Sequence, residues 1–452
     1  AATLARLRET FASGRTLDAA WRSEQLTRLA RAMEAEEARI VEALKADFAK
    51  PAAETLTAEV DYVKKEARRA AKRLKRWMKP KRVSTPLAAF PSKSMIRPEP
   101  YGVTLIIGAW NYPVQECLAP LVGAIAAGNC AVIKPSELAP AASRAILDIA
   151  KTHLDSAAVA VIEGGVEETT ALLDQRFDKI FYTGGSKVGR IVMAAAAKHL
   201  TPVTLELGGK SPAIVEPDAD LAVSARRIAW GRFMNAGQIC VAPDYALVHD
   251  SVHDAFIAAM REALNAFYGA DPKQSPDFAR LVNERHFDRV AGLIEPDKAV
   301  IGGRTDRSER YIAPTVLAGV TEDSPAMQEE VFGPVLPVLT YSDREEALDM
   351  VRGRDAPLAV YVFTKDDAFA EAVIERTRSG TVMVNDAVIF QANAALPFGG
   401  IGESGMGAFH GEHSFRCFSH DKAVMKRGFA MDSALRYPPY DAKKLKTLRA
   451  LA

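Results

Sequence analysis

The chain predicts an α/β fold built from two tandem, doubly wound layers of parallel strands. Short β-branched runs alternate with longer helical patterns from residue 101 to about residue 385. The segments between those runs are long enough for crossover helices, which parallel strands require. At 452 residues, 48% apolar and 25% charged, the chain can also bury more than one core.

The first 80 residues read as helical. Val60, Val63, Ala67, Ala71, Leu74 and Met78 recur at three- or four-residue steps and mark one apolar face. The opposite face carries Lys64, Lys65, Arg68, Arg69, Lys72, Arg73, Lys75 and Arg76. With no aromatic ladder beside it, that stripe reads as a solvated helix face, not a nucleic-acid site. Pro80 closes the helix. The strand series then begins at 103–107, running into a Gly-Ala-Trp-Asn-Tyr-Pro turn. Runs at 131–133, 159–162 and 179–183 follow, each ending in a glycine- or proline-bearing turn. A second series starts near residue 203 and includes 212–215, 245–249 and 358–363. Two such layers imply a cleft between them, the usual place for a ligand.

Composition excludes several classes of protein. A formal net charge of +1 gives no reason to expect nucleic acid or an anionic membrane as partner. Cys117, Cys130, Cys240 and Cys417 are too scattered for a disulfide framework or a CxxC zinc site, so a reducing, cytoplasmic setting is expected. The longest apolar run, 118–133, is broken by Pro120 and Asn129 and is too short to span a bilayer, so no integral membrane segment is expected. Its reading is a buried helix leading into a strand. The charged N-terminal stretch shows no signal peptide. His410, His413 and His420 lack carboxylate partners at ligand spacing, and no metal is expected.

The candidate chemistry rests on one cysteine and one carboxylate. Cys240 follows the turn-like Asn-Ala-Gly-Gln, which would expose it, whereas the other three cysteines lie in apolar or aromatic surroundings. A thiol there can attack a carbonyl; otherwise it is an ordinary buried cysteine. Glu206, in Thr-Leu-Glu-Leu-Gly-Gly, is a charge among apolar residues, where burial would raise its pKa toward a useful base. A surface-facing strand residue is the alternative. Asn111 offers an amide that could hold an oxyanion together with the Cys240 backbone N–H, or it is simply a turn residue before a proline. Gly184-Gly185-Ser186-Lys187-Val188-Gly189 joins a strand to a helix and could border a phosphate, though it lacks both the dinucleotide and the P-loop spacings. Lys134 and Glu137 follow another strand, where a carboxylate can accept ribose hydroxyls and repel a 2′-phosphate.

These segments together resemble an aldehyde dehydrogenase. The motifs run in order: WNYP at 110–113, KPSE at 134–137, GGSKVG at 184–189, LELGGKSP at 205–212, GQIC at 237–240, EEVFGP at 329–334 and PFGGIGESGMG at 397–407. The CVAPDY after the cysteine and the late GMGAFHGEHSFRCFSH are similar to class 3 members, among them fatty-aldehyde and coniferyl-aldehyde enzymes. The resemblance implies that Cys240 forms a thiohemiacetal and then a thioester, that Asn111 holds the oxyanion, and that Glu206 activates the hydrolytic water. It implies that Glu330 and Phe332 position the nicotinamide end of the cofactor, that Lys134 and Glu137 hold the adenosine ribose, and that Gly184–Gly189 border the pyrophosphate. NAD is the expected cofactor because of Glu137. NADP stays open because Lys187 stands where many relatives carry an uncharged residue.

A hydrophobic aldehyde, medium-to-long aliphatic or aromatic, is the implied substrate. Glu206 argues against a CoA-acylating enzyme, and the intact Cys240, Glu206 and Asn111 argue against a silent binding member. The resemblance further implies a cofactor domain at 1–82 and 98–206 and a catalytic domain at 207–388. It adds a small β oligomerisation arm at 83–97 and 389–427, a C-terminal segment at 428–452, and a homodimer.

Overall fold

The computed structural model describes residues 2–451. A six-stranded sheet is ordered Gly405–Met406, Val203–Glu206, Lys179–Thr183, Val103–Ile107, Cys130–Lys134, Val159–Val161. Its neighbours are parallel apart from the short Gly405–Met406 edge. The three central strands are buried along their whole length, as strands covered by helices on both faces must be. The chain steps outward from Val103–Ile107 to Val159–Val161, then returns to lay Lys179–Thr183 on the other side of the starting strand. That reversal opens a crevice at the carboxyl ends of Val103–Ile107 and Lys179–Thr183, where the WNYP and GGSKVG turns emerge.

The seven-stranded sheet is ordered Ala299–Ile301, Thr315–Leu317, Val335–Tyr341, Tyr245–His249, Pro212–Val215, Ala359–Phe363, Thr381–Val384. Only Ala299–Ile301 runs antiparallel. The second strand series therefore begins at Pro212, not near residue 203. Val203–Glu206 pairs with Lys179–Thr183 in the first sheet, with Thr183 opposite Glu206. The Gly208-Gly209 break then hands the chain across to the second sheet. Strand periodicity cannot tell which sheet each half of a glycine-split run will join.

A three-stranded antiparallel sheet of Lys81–Val83, Lys93–Pro100 and Ser419–Lys426 stands apart from both layers. Within 389–427 only that last strand joins it. The helix Gly411–Cys417 instead packs on Pro113–Ala127, where a Cβ added at Gly123 would lie 2.8 Å from the Ser414 carbonyl oxygen.

Helices Ala19–Ala35, Glu37–Phe48 and Asp61–Trp77 make up most of the N-terminal region. The last buries Val63, Ala67, Ala70, Leu74 and Trp77 and turns Lys65, Arg68, Lys72, Arg73, Lys75 and Arg76 to solvent. A π-helical stretch, Thr55–Val60, precedes it. Among the described residues no helix is long and apolar enough to cross a membrane.

Candidate active site

Cys240 stands at the end of a left-handed turn. After helix Leu221–Phe233, residues Asn235, Ala236 and Gly237 take φ values of 52°, 50° and 73°. Glycine adopts this conformation freely and asparagine tolerates it, but alanine is strained there and must be held. The Asn235 backbone N–H donates to Glu54 Oε2 at 2.9 Å, and Asn235 Nδ2 donates to the Asn111 carbonyl at 2.9 Å. Gln238 Nε2 donates to the Asn235 and Arg280 carbonyls at 2.9 and 3.0 Å, and its Oε1 accepts from Val282 N–H at 3.0 Å. A Cβ at Gly237 would run into the Gly333 carbonyl, so the EEVFGP loop seats directly on the turn. Cys240 emerges partly exposed; so does Cys417, against the expectation that it is an ordinary buried cysteine, while Cys117 and Cys130 are buried.

The Asn111 loop is fixed from beneath by the N-terminal helices. Asn111 Nδ2 donates to the Gln238 carbonyl at 3.1 Å, tying this loop to the cysteine turn. Its own carbonyl accepts from Lys50 Nζ at 3.2 Å. Lys50 is fully buried, paired with Glu59 at 2.6 Å, and lies 3.6 Å from the centre of the Tyr112 ring. Glu59 Oε2 in turn accepts from the Val114 and Gln115 amides, both at 2.9 Å, and so caps the helix Pro113–Ala127.

Glu206 lies at the carboxyl end of its strand, 3% exposed, and neither carboxylate oxygen has a hydrogen-bond partner among the described residues. Burial pushes its pKa well above the carboxylate range, and the nearby Glu116 carboxyl adds to the effect. Burial also pushes the Cys240 thiol well up, with Glu116, Glu330 and Glu206 each contributing. Burial raises Glu116 to about 7 and Glu330 to about 8.

The loop bearing Glu330 and Phe332 is clamped in place. Buried Arg232 binds Asp244 Oδ1 at 3.2 Å and also reaches the Gly333 carbonyl. Val331 N–H donates to Asp244 Oδ1 at 3.0 Å, and Lys210 Nζ pairs with the other Asp244 oxygen. A Cβ at Gly208 would collide with the Glu330 carboxylate. Phe332 sits edge-on to Trp110 at 5.3 Å between ring centres.

The other predicted residues lie at the carboxyl ends of neighbouring strands of the first sheet. Lys134 is buried, donates to the Pro135 carbonyl at 2.7 Å and pairs at 3.3 Å with Glu137, which is exposed. Gly184 has φ 155°, and a Cβ there would strike the Tyr182 hydroxyl. Gly185 caps the helix Ser186–Ala197 with no side chain on its first amides, and Lys187 and Val188 face solvent. Gly189 packs against Leu207. Uncapped amides, an acceptor carboxylate and a glycine cradle form a donor set that fits a dinucleotide.

The cysteine turn, Glu206, Asn111 and the Glu330–Phe332 loop thus converge, while Lys134, Glu137 and 184–189 flank them on neighbouring strands. Sequence reading missed Glu116, Glu54 and the Lys50–Glu59 pair. Glu116 carried a signal, an acid in the most apolar helix of the chain. The other three lie in ordinary amphipathic stretches.

Comparison with known proteins places the chain in a class of aldehyde-oxidising enzymes. The aldehyde dehydrogenase family pattern matches residues 1–424, and the chain belongs to that family. Within it the chain sides with class 3. Aldehyde dehydrogenase family 3 member H1 of Arabidopsis thaliana is 49% identical over 450 residues, covering 98% of this chain and 93% of that protein. The 4,4'-diaponeurosporen-aldehyde dehydrogenase of Staphylococcus aureus is 46% identical over 435 residues, covering 96% of this chain and 95% of that one. The solved substrate-bound Staphylococcus aureus AldH superposes with a TM-score of 0.97 at 45% identity, covering 99% of this chain and 98% of that one. An indole-3-acetaldehyde dehydrogenase complexed with NAD+ superposes at 0.86 with 27% identity, covering 94% and 88%. The chain is an enzyme of a family that oxidises aldehydes with a nicotinamide cofactor.

Proposed function

We propose that the chain oxidises a hydrophobic aldehyde, medium-to-long aliphatic or aromatic, to the carboxylic acid with NAD. The observation that carries this reading is the pairing of partly exposed Cys240 with buried Glu206, whose oxygens have no partner among the described residues. Glu206 ends a strand of the first sheet and Cys240 precedes a strand of the second.

Glu206, as carboxylate, takes the Cys240 thiol proton as the sulfur bonds to the carbonyl carbon, and passes it to solvent before it acts again; the oxygen becomes an oxyanion held by the Asn111 amide and the Cys240 N–H. Bound oxidised nicotinamide supplies the hydride acceptor. With the hydride gone from carbon, the carbonyl re-forms as a thioester on Cys240. Glu206 takes a proton from water as the water oxygen attacks, the C–S bond breaks, and the acid leaves. Glu330 and Phe332 position the nicotinamide end, and Lys134 and Glu137 hold the adenosine ribose. The amides of Gly184–Gly189 border the pyrophosphate. Exposed Glu137 favours NAD over NADP; exposed Lys187 keeps NADP accessible.

The unpaired edges of the three-stranded sheet support a homodimer, and four free cysteines support a reducing, cytoplasmic setting. Cys240→Ala should abolish NADH formation from every aldehyde while NAD affinity stays within about twofold. Turnover retained by that variant would refute the assignment.

A further inference from the structure

The basic stripe on the helix Asp61–Trp77 is not uniform. Arg69, Arg73 and Arg76 share one side of that helix, at i, i+4 and i+7, and line a cavity of about 670 Å³. Lys65, Arg68, Lys72 and Lys75 lie outside it. The helix Gly411–Cys417 contributes Arg416, Glu412 and His413 to the lining, and the loop 392–395 contributes Asn393 and its neighbouring alanines. These walls are fixed to one another. Buried Glu66 pairs with Arg69 at 2.7 Å, and its other oxygen accepts the Gly411 N–H at 2.8 Å, joining the two helices. Trp77 packs on Phe415 at 5.9 Å between ring centres, and a Cβ at Gly411 would strike the Ala394 carbonyl. The cavity is therefore built by packed elements, and its size is ordinary for a small-molecule site.

Its charges do not balance. Four arginines line it against one carboxylate, Glu412. Arg76 and Arg416 share that carboxylate at 3.2 and 3.3 Å, and Arg416 also lies 3.5 Å from Asp421. Arg73 makes no ion pair among the described residues. Trp77, also in the lining, is 3% exposed, and its Nε1–H has no acceptor among the described residues. Like charges four residues apart repel along a helix, and a buried N–H without an acceptor is costly. Guanidinium groups present paired donors that match the oxygens of a phosphate or carboxylate. A bound oxyanion answers the charge surplus, whereas a cation would deepen it. The Trp77 ring and the alanines of 392–395 offer an apolar surface to the rest of such a molecule.

We propose that this cavity binds a small organic molecule with a doubly charged oxyanion head, of the phosphate monoester class. Arg73, Arg76 and Arg416 hold the head, and the apolar body lies against Trp77 and the alanines. A dianion is favoured because Arg73 has no counter-ion and the other two arginines divide Glu412 between them. The site is independent of the aldehyde-oxidising reading, since none of its residues belongs to that machinery.

The test titrates phenyl phosphate into the full-length chain by calorimetry, with NAD at saturation so that the cofactor region is filled. Phenyl phosphate should bind saturably, at least about tenfold more tightly than benzoate, its singly charged analogue. Arg73→Ala and Arg416→Ala, on opposite helices, should each weaken binding about tenfold or more. Lys72→Ala removes the same charge one residue away and outside the cavity, and should change binding less than about twofold. Sedimentation with phosphatidic acid vesicles, against phosphatidylcholine vesicles, distinguishes the source of the head group. Pelleting that needs Arg73 assigns it to a lipid; phenyl phosphate binding without such pelleting assigns it to a soluble molecule. Absence of both signals in the wild type would overturn the proposal even if a variant fails to fold. Equal losses in Arg73→Ala and Lys72→Ala would overturn it too, because diffuse surface charge would then explain the binding.

Discussion

Two glycine-bearing turns of the chain are built in opposite ways. The Asn235–Gly237 turn is held in a strained left-handed path by Glu54, Asn111, Arg280 and the Gly333 carbonyl, all at hydrogen-bonding or packing distance. The Gly184–Gly189 turn has an uncapped helix N-terminus, and Lys187 and Val188 stand in solvent. The difference fits the roles proposed for the two turns. A nucleophile needs placement to a fraction of an ångström, and only buried, mutually satisfied partners supply that. A phosphate rim works through backbone amides and screened charge, so it tolerates looseness.

Breaking the rigid side should therefore be expensive and breaking the loose side cheap. Asp244 joins Arg232, Lys210 and the Val331 amide, and Asp244→Ala leaves Arg232 buried without its counter-ion. The expected loss is about 3–5 kcal/mol in urea unfolding. Lys187→Ala should change stability by no more than about 0.5 kcal/mol. Similar losses for the two variants would erase the contrast between the turns.

Glu206→Gln sharpens the contrast from the chemical side. With its buried base removed, the thioester should accumulate, seen as an NADH burst followed by acid release slowed about a hundredfold or more. Steady turnover at the wild-type rate would mean that another group activates the water.

Much of this division was legible in the chain, but unevenly. Cys240, Glu206 and Asn111 announced themselves because each is chemically out of place among glycines or apolar residues. The rim residues were legible as strand-end turns. The supports were not, because Lys50 sits in a short link and Glu54 and Glu59 in ordinary helical sequence, and they acquire their role only when the N-terminal helices fold beneath the WNYP loop. The sheet to which Val203–Glu206 belongs was equally hidden, since pairing register is a tertiary fact. Asn111 adds a subtler point: its side-chain amide already anchors the Gln238 carbonyl, so the same group that could stabilise an oxyanion also sets the nucleophile's turn.

The buried acids give the rigid side a pH signature. Glu116 rises from the ordinary 4.5 to about 7 on folding, so the native state holds its proton more tightly than the unfolded chain. Its contribution to stability is complete below about pH 4.5 and is lost as pH climbs through 7. Over that window the loss amounts to as much as about 3 kcal/mol. Glu116→Gln should flatten the decline between pH 5 and 8 in urea titrations. An unchanged slope would show that the carboxyl is already relieved by water or movement.

The smallest effect belongs to the loose rim. Glu137 is held only by Lys134 at 3.3 Å and faces solvent, so in the proposed cofactor role it would act on a 2′-phosphate only through a screened charge. Glu137→Gln should raise kcat/KM with NADP relative to NAD by roughly three- to tenfold, about 1 kcal/mol, while leaving urea stability and Cys240 alkylation by iodoacetamide unchanged. A rigid rim would behave otherwise: the substitution would perturb stability or thiol reactivity along with cofactor choice. Measuring all three in one variant therefore separates a charge that only selects the cofactor from one that is part of the scaffold.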